Sequence, residues 1–123
     1  MKVVITHTIK KKEFRRGDLM EKNLQVILKG FKKGIFDTIR GLQLPVNSRL
    51  IKVYATTVYG ARRIVYLVDM ENGDGFLLFY RDKKDRIGKN ISLQNPYFKT
   101  ALTEHLILLH KDLTNGLYDE YEL

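Results

Sequence analysis

Alternating and continuous apolar stretches predict four strands in this chain. Residues 3–9 alternate weakly and are rich in Val, Ile and Thr, which is typical of a first strand. Residues 50–55, 62–69 and 76–80 are further apolar stretches, separated by short glycine-containing turns. Because their connections are short, we expect these last three strands to form an antiparallel meander.

Helical periodicity occupies the segments on either side of the meander. In residues 11–28 apolar side chains recur near the helical spacing with basic residues between them, which predicts a basic amphipathic helix. Residues 35–42 predict a shorter second helix. Four residues delimit these helices, namely Gly30 and Gly34 at the break and Gly41 and Pro45 at the end.

A last helix is predicted to begin near residue 96. Asn95 is a suitable N-cap, Pro96 fits the first helical position, and the pattern stops at Asn115 and Gly116. The apolar stripe of this helix consists of Phe98, Leu102, Leu106, Leu109 and Leu113. The resulting order, β-α-α-β-β-β-α, predicts an α+β fold with helices on one face of an antiparallel sheet.

The sequence indicates one domain spanning residues 1–123. No internal repeat and no linker-like segment divides the chain, and its size suits a single modest core. Residues 117–123 form an acidic tail on a basic protein. We expect this tail either to be disordered or to lie over the basic surface.

The charge balance narrows the class of partner. The chain has a formal net charge of +8 and a pI of about 9.7, so we expect an anionic partner such as nucleic acid. It has no cysteine, and therefore no disulfide and no thiolate metal site. The N-terminal apolar run is too short for a signal peptide, and no segment reaches the length of a membrane span. We expect a cytoplasmic protein that binds neither a membrane nor a small-molecule cofactor.

A cluster of cations follows the third strand of the meander. The loop carries Arg81, Lys83, Lys84, Arg86 and Lys89 against two acids, Asp82 and Asp85. In a meander, Arg81 lies at the same sheet end as the start of the Arg62 strand, so Arg62 or Arg63 should converge with Arg81 and Lys83. Lys52 and Tyr54 share one face of their strand, because side chains two residues apart point the same way. We also expect Arg81 to carry little core packing, since it lies at a strand end.

Such a cluster has the groups needed to cleave RNA. A lysine whose pKa is depressed by neighbouring cations can remove the proton of a 2′-hydroxyl, which then attacks the adjacent phosphate. Arginines neutralise the charge that grows on the phosphoryl oxygens. Tyr54, Tyr66 or Tyr80 would stack on a displaced base, although the apolar neighbours of Tyr66 favour strand packing. The histidines lack metal-ligand spacing, so we expect structural roles for them and no metal site.

Three strand motifs stand together in the chain: residues 48–54 (SRLIKVY), 62–69 (RRIVYLVD) and 78–85 (LFYRDKKD). This arrangement resembles the RelE/ParE superfamily of bacterial toxins. In that pattern a strand carrying Lys or Arg precedes an Arg-aliphatic-aliphatic-Tyr strand, and a third strand ends in a basic segment. With the first strand and the helical hairpin, the resemblance covers roughly residues 1–90 and implies a RelE-like α+β domain.

The resemblance implies the toxin of a type II toxin–antitoxin system, acting as a ribosome-dependent, metal-independent mRNA endoribonuclease that inhibits translation. Its partners would be a cognate antitoxin, the ribosome and mRNA, with no cofactor. By position, the implied catalytic residues are Lys52, Arg62, Arg63, Arg81 and Lys83. The implied RNA-binding residues are Lys84, Arg86, Lys89, Tyr54 and Tyr80. Two alternatives stay open, a non-catalytic ParE-like inhibitor of DNA gyrase and a basic RNA-binding protein.

Overall fold

The computed structural model describes residues 1–14, 19–40 and 43–123. Within them the chain forms three helices and six strands, an α+β architecture as predicted. The helices are α1 (His7–Glu13), α2 (Glu21–Lys33) and α3 (Pro96–Thr114). The strands are β1 (Lys2–Thr6), β2 (Asp37–Thr38), β3 (Ser48–Thr57), β4 (Gly60–Asp69), β5 (Gly75–Asp82) and β6 (Tyr118–Glu122). In this described part, no helix is both long and apolar enough to cross a membrane.

All six described strands form one mixed sheet in the order β2-β3-β4-β5-β1-β6. From β2 to β5 each neighbouring pair is antiparallel, which confirms the predicted meander. The sheet is not wholly antiparallel, because β1 runs parallel to β5 with Val3 opposite Gly75. A parallel pair needs a long crossover connection, and the segment containing α1, α2 and the first strands of the meander supplies it.

The helix predicted over residues 11–28 is two helices, because α1 ends at Glu13, Phe14 and Met20 have extended backbone, and α2 begins at Glu21. α1 also begins earlier than predicted. β1 ends at Thr6, so residues 7–9 belong to α1 and not to the predicted strand. The carboxylate of Asp112, on α3, accepts hydrogen bonds from the backbone N–H of Thr8 (2.7 Å) and from its hydroxyl (3.0 Å). This contact satisfies a donor in the first turn of α1. It comes from a distant part of the chain, where no local pattern reveals it.

Gly30 lies inside α2 and does not interrupt it, contrary to the prediction. A Cβ at this position would lie 3.3 Å from both the Tyr66 hydroxyl and a methyl group of Val53, so the glycine lets the helix pack closely on the sheet. α2 continues to Lys33. It ends at Gly34, whose φ of 69° is the left-handed conformation expected at a helix C-terminus.

The predicted second helix, residues 35–42, does not form in the described residues. The short strand β2 takes its place and pairs with Ile51 and Lys52 of β3. A few apolar residues in so short a segment satisfy the helical spacing as easily as they form an edge strand. Residues 41–42 of this prediction, and residues 15–18 of the first predicted helix, lie outside the described residues.

The acidic tail forms a strand, so neither expectation for it was right. β6 pairs antiparallel with β1 over its whole length, from Lys2 opposite Glu122 to Thr6 opposite Tyr118. Lys2 Nζ lies 2.9 Å from a carboxylate oxygen of Glu120, and this hydrogen bond raises the pKa of Lys2. The tail therefore covers the edge of the sheet beside β1.

Apolar side chains pack on both faces of the sheet, and helices cover both faces. The prediction that the helices lie on one face was therefore wrong. α3 packs Phe98 and Leu102 of its predicted stripe against one face, here called the α3 face. α2 packs Ile27 against the other, here called the α2 face. A β-bulge in the pairing of β4 with β5 lets the consecutive residues Leu78 and Phe79 both pack on the α3 side.

Candidate nucleic-acid interface

The meander aligns three candidate residues in one row across the sheet. Tyr54 on β3 lies opposite Arg63 on β4, and Arg63 lies opposite Arg81 on β5. The row lies on the α3 face, because Val65 and Phe79, two residues along from the arginines, pack beneath α3. Lys52, two residues before Tyr54, shares this face as predicted.

Tyr54 is the exposed member of this row, and Arg63, which is partly buried, lies against it. The guanidinium carbon of Arg63 lies 4.3 Å from the centroid of the Tyr54 ring, and Tyr54 is 54% exposed. Lys52 Nζ lies 5.9 Å from the same ring and donates a hydrogen bond to the carbonyl of Ile91 (3.1 Å). Cations beside an exposed aromatic ring can hold a phosphate while the ring stacks on a base.

Arg62 is separated from this row. It precedes Arg63 in a strand, so its side chain lies on the α2 face. Its Nη1 lies 3.0 Å from a carboxylate oxygen of Asp82 and also contacts the carbonyls of Tyr59 (3.5 Å) and Ala61 (3.3 Å). The acid balances its charge, so Arg62 does not join the predicted catalytic cluster.

Tyr80 also lies on the α2 face and is buried, with 8% of its surface exposed. Its ring packs on Phe14, with 5.3 Å between the centroids, and its hydroxyl donates a hydrogen bond to Asn23 (3.1 Å). Burial raises the pKa of this hydroxyl. A base cannot stack on a ring in this position, which contradicts the predicted RNA-binding role of Tyr80. Tyr66 is fully buried and is equally inaccessible.

Arg81 is held by a carboxylate of α1. Its Nε and Nη2 lie 2.9 and 2.8 Å from the two oxygens of Glu13, whose side chain is fully buried. Glu13 also accepts the backbone N–H of Tyr80 (2.8 Å) and lies 3.0 Å from Nε2 of His105. Burial lowers the pKa of Arg81, but the hydrogen bond and charge of Glu13 outweigh it, so the net shift is upward.

This bidentate pair contradicts the expectation that Arg81 carries little packing. Removing the guanidinium would leave the carboxylate of Glu13 buried without its main partner. The sequence analysis did not predict the buried role of Glu13, because an acid among the basic residues at 10–16 is typical of a solvated helix position. Its partners Arg81 and His105 lie 68 and 92 positions away along the chain. The charge of Arg81 is therefore balanced by Glu13, while in the described residues Arg63 makes no contact with a carboxylate.

The loop after β5 presents four exposed cations, namely Lys83, Lys84, Arg86 and Lys89. Its shape is set by two acids. Asp85 accepts the backbone N–H of Ile87 (2.8 Å) and Gly88 (3.2 Å), and Asp82 accepts that of Lys84 (2.8 Å). A Cβ at Gly88 would lie 2.1 Å from the carbonyl oxygen of Asp82, so a glycine is required there. The acids shape the backbone while the cations face solvent.

Tyr97 adds an aromatic ring to this loop, although the sequence analysis did not include it in the site. The guanidinium carbon of Arg86 lies 4.8 Å from the centroid of the Tyr97 ring, which is half exposed. Asn95 joins the loop to α3. Its side-chain oxygen accepts the N–H of Tyr97 (3.1 Å), the predicted cap, and its amide donates to the carbonyl of Arg86 (2.9 Å). In the loop, therefore, an arginine lies against a tyrosine ring, as Arg63 lies against Tyr54 on the sheet.

Four of the predicted residues lie at this end of the sheet, and we call them the cationic site: Lys52, Tyr54, Arg63 and Lys83. Side-chain contacts join Lys52 and Arg63 to Tyr54, and the backbone places Lys83 beside them. Lys83 belongs to this sheet end because its backbone N–H donates to the carbonyl of Ala61, at the start of β4 (3.2 Å). Positive charge interleaved with exposed aromatic rings suits a single-stranded nucleic acid.

No family model, curated protein or solved structure matches the chain.

Proposed function

We propose that this protein is a type II toxin of RelE-like topology that cleaves mRNA on the ribosome and is neutralised by a cognate antitoxin. The succession of β1, two helices and the meander β3-β4-β5 supports this proposal. So do the three strand motifs that resemble the RelE/ParE superfamily. The observation that carries the proposal is the cationic site, where Arg63 stands beside the exposed ring of Tyr54.

The proposed reaction divides among the residues of the cationic site. Lys52 or Lys83 takes the proton of the 2′-hydroxyl, whose oxygen then bonds to phosphorus. The bond from phosphorus to the 5′-oxygen breaks, which leaves a 2′,3′-cyclic phosphate, and the departing oxygen takes a proton from water. Arg63 neutralises the charge that grows on the phosphoryl oxygens, and Tyr54 stacks on the displaced base.

The loop after β5 binds the RNA strand that leads to this site. Its exposed cations Lys84, Arg86 and Lys89 contact phosphates, and Tyr97, which lies against Arg86, offers a second stacking surface. Phosphate contacts release counterions, so binding weakens as the salt concentration rises. The loop thus supplies affinity while the cationic site supplies the chemistry.

The test is mRNA cleavage in a purified translation system, mapped by primer extension with and without ribosomes. We expect cuts only with ribosomes, and a rate lowered about 10²–10³-fold by Arg63→Ala, the loss typical of one transition-state donor. Arg49→Ala is the control, because it removes one arginine charge from the opposite end of β3, away from the cationic site. It should leave the rate within about twofold of wild type.

Each other outcome points to a different function. Intact message with the wild-type protein would contradict the nuclease, and a gyrase supercoiling assay would then test the ParE-like alternative. Equal losses for Arg63→Ala and Arg49→Ala would attribute the effect to overall charge, as in a basic RNA-binding protein. Urea denaturation of both variants checks that neither effect comes from unfolding.

A further inference from the structure

The outer edge of β3 is covered over only part of its length. β2 pairs with two of its residues, Ile51 and Lys52. Residues 53–57 pair with β4 on the inner side, but in the described part of the chain no strand lies beside them on the outer side. An uncovered edge of this kind is a template for another strand.

The direction of the uncovered backbone groups follows from the covered residues before them. The N–H of Ile39 donates to the carbonyl of Leu50 (2.9 Å), so the backbone groups of Leu50 point to the outer side. Along a strand, groups on one side recur at every second residue. The N–H and C=O of Tyr54 and Thr56 therefore point to the outer side as well.

A groove of about 440 Å³ runs between this edge and α2. Among the described residues, its lining includes two lysines of α2, Lys29 and Lys33, against one acid, Asp37, while the ammonium of Lys52 is directed to the carbonyl of Ile91. Two apolar residues of the lining are open to solvent, since Ile35 is 77% exposed and Phe36 is 42% exposed. Exposed apolar surface next to an uncovered edge marks an interaction site, and its lysines select a negatively charged occupant.

We infer that an extended, acidic segment of a partner protein binds in this groove and adds a strand to β3 along residues 53–57. Backbone hydrogen bonds to β3 give the affinity, as in other strand additions. Alternate apolar side chains of the segment contact Ile35 and Phe36. Its carboxylates lie near Lys29 and Lys33, which are exposed in the unbound protein.

The opposite edge of the sheet already holds a strand of this chemistry. β6 is acidic, and Tyr121 and Leu123 pack against the core of the α2 face. Its acids stay near solvent, where Glu120 pairs with Lys2. The scaffold therefore accepts an acidic strand at one edge, and the groove offers the matching apolar and cationic contacts at the other. This inference goes beyond RNA cleavage and does not depend on it.

The probe for the test is a labelled nonapeptide that alternates glutamate with valine, acetylated and amidated at its ends. We expect it to bind the full chain in a fluorescence anisotropy titration. Its binding should slow amide hydrogen exchange at Tyr54 and Thr56 about tenfold or more, because those N–H groups become hydrogen-bonded. Exchange in β1 and β6 should not change, which locates the peptide at the β3 edge.

Two matched controls separate strand addition from simple charge attraction. Lys29→Glu should weaken peptide binding about tenfold, whereas Lys32→Glu should leave it within about twofold. Both lysines are exposed on α2, but Lys32 does not line the groove. A peptide N-methylated on alternate residues of one edge loses the donors needed for pairing and should not bind.

Several results would overturn the inference. These are absence of binding at millimolar peptide, equal effects of Lys29→Glu and Lys32→Glu, or full binding of the N-methylated peptide. An eight-nucleotide RNA that binds with the same sensitivity to Lys29→Glu, but without protection at Tyr54 and Thr56, would assign the groove to nucleic acid. Because every readout here is binding or exchange, failure of this inference leaves the cleavage assay unaffected.

Discussion

The two edges of the sheet differ in how much of their length is covered and in their charge. At one edge β6 pairs with all five residues of β1 and makes that edge acidic. At the other edge β2 covers two of the ten residues of β3, and the lysines of the groove make that edge basic. Proteins usually cover or blunt an edge strand to prevent association. An edge left open, apolar and basic is therefore a surface that a partner can use.

The contacts that stabilise the fold also differ between the β1 side and the β3 side of the sheet. On the β1 side, Asp112 joins α3 to the start of α1, and Glu13 joins the end of α1 to β5 through Arg81. On the β3 side, Tyr54 and Arg63 contact each other and solvent. Substitutions on the β1 side should therefore lower the free energy of unfolding, while those on the β3 side should mainly change binding.

Arg81→Ala should give the largest loss of stability. We expect the free energy of unfolding to fall by about 3 kcal/mol, because Glu13 stays buried without its main partner. Arg63→Ala, in the same row of the sheet, should change it by less than about 1 kcal/mol, since it removes a partly exposed cation–π contact. Urea denaturation measures both. Similar losses for the two variants would contradict the proposed division between the sides.

Deleting residues 117–123 should have the second largest effect. The deletion removes β6, exposes the apolar edge of β1 and releases Tyr121 and Leu123 from the core, which together should cost about 2–3 kcal/mol. Light scattering should also report association through the uncovered edge. Ile35→Ser, at the already open edge, should cost less than about 0.5 kcal/mol. A deletion variant as stable and monomeric as the full chain would contradict this view of β6.

The smallest expected effect is a loss of folding stability at alkaline pH. We expect this loss to depend on a buried tyrosine and not on an exposed one. Burial raises the pKa of Tyr66, whose hydroxyl donates to the carbonyl of Ile27 (2.6 Å). Because the folded pKa lies above the unfolded value of about 10, stability is constant below that pH and falls above it, by up to about 1.4 kcal/mol per pH unit. Urea denaturation across this range should show a shallower fall for Tyr66→Phe.

Tyr59 is the control for the alkaline experiment. It lies in the exposed hairpin between β3 and β4, and a hydrogen bond with Lys22 lowers its pKa. Tyr59→Phe should therefore leave the alkaline fall in stability intact. If Tyr59→Phe flattened the curve and Tyr66→Phe did not, burial would not be the cause of the loss.

Local patterns were sufficient to predict the meander and α3. Short turns fix which strands are neighbours, and alternation fixes which residues share a face, so Lys52 and Tyr54 could be placed on one face before the structure was known. The pairing of Tyr54 with Arg63 required the structure. The cap at Asn95 was equally local. The sequence left open whether Arg62 or Arg63 joins the site, because consecutive strand residues point to opposite faces and the pattern did not show which face holds it.

Contacts between distant residues account for the failures. The sequence of the acidic tail does not predict a strand. β6 forms because it pairs with the otherwise uncovered edge of β1. Glu13 is buried because Arg81 and His105 converge on it from two other elements. Tyr80 is hidden by Phe14 and Asn23, from the segments that surround the undescribed residues 15–18. None of these partners can be identified from periodicity or charge.

The pairing of β1 with β6 also bears on the order in which the molecule folds. It joins residues from the two ends of the chain, such as Lys2 and Glu122, and closing so long a loop costs more entropy than closing a hairpin. The meander needs only local closures, so we infer that it forms first and that β6 docks last. Until β6 docks, β1 pairs only with β5 and its outer edge stays uncovered, and that interval is when the chain is most vulnerable to aggregation.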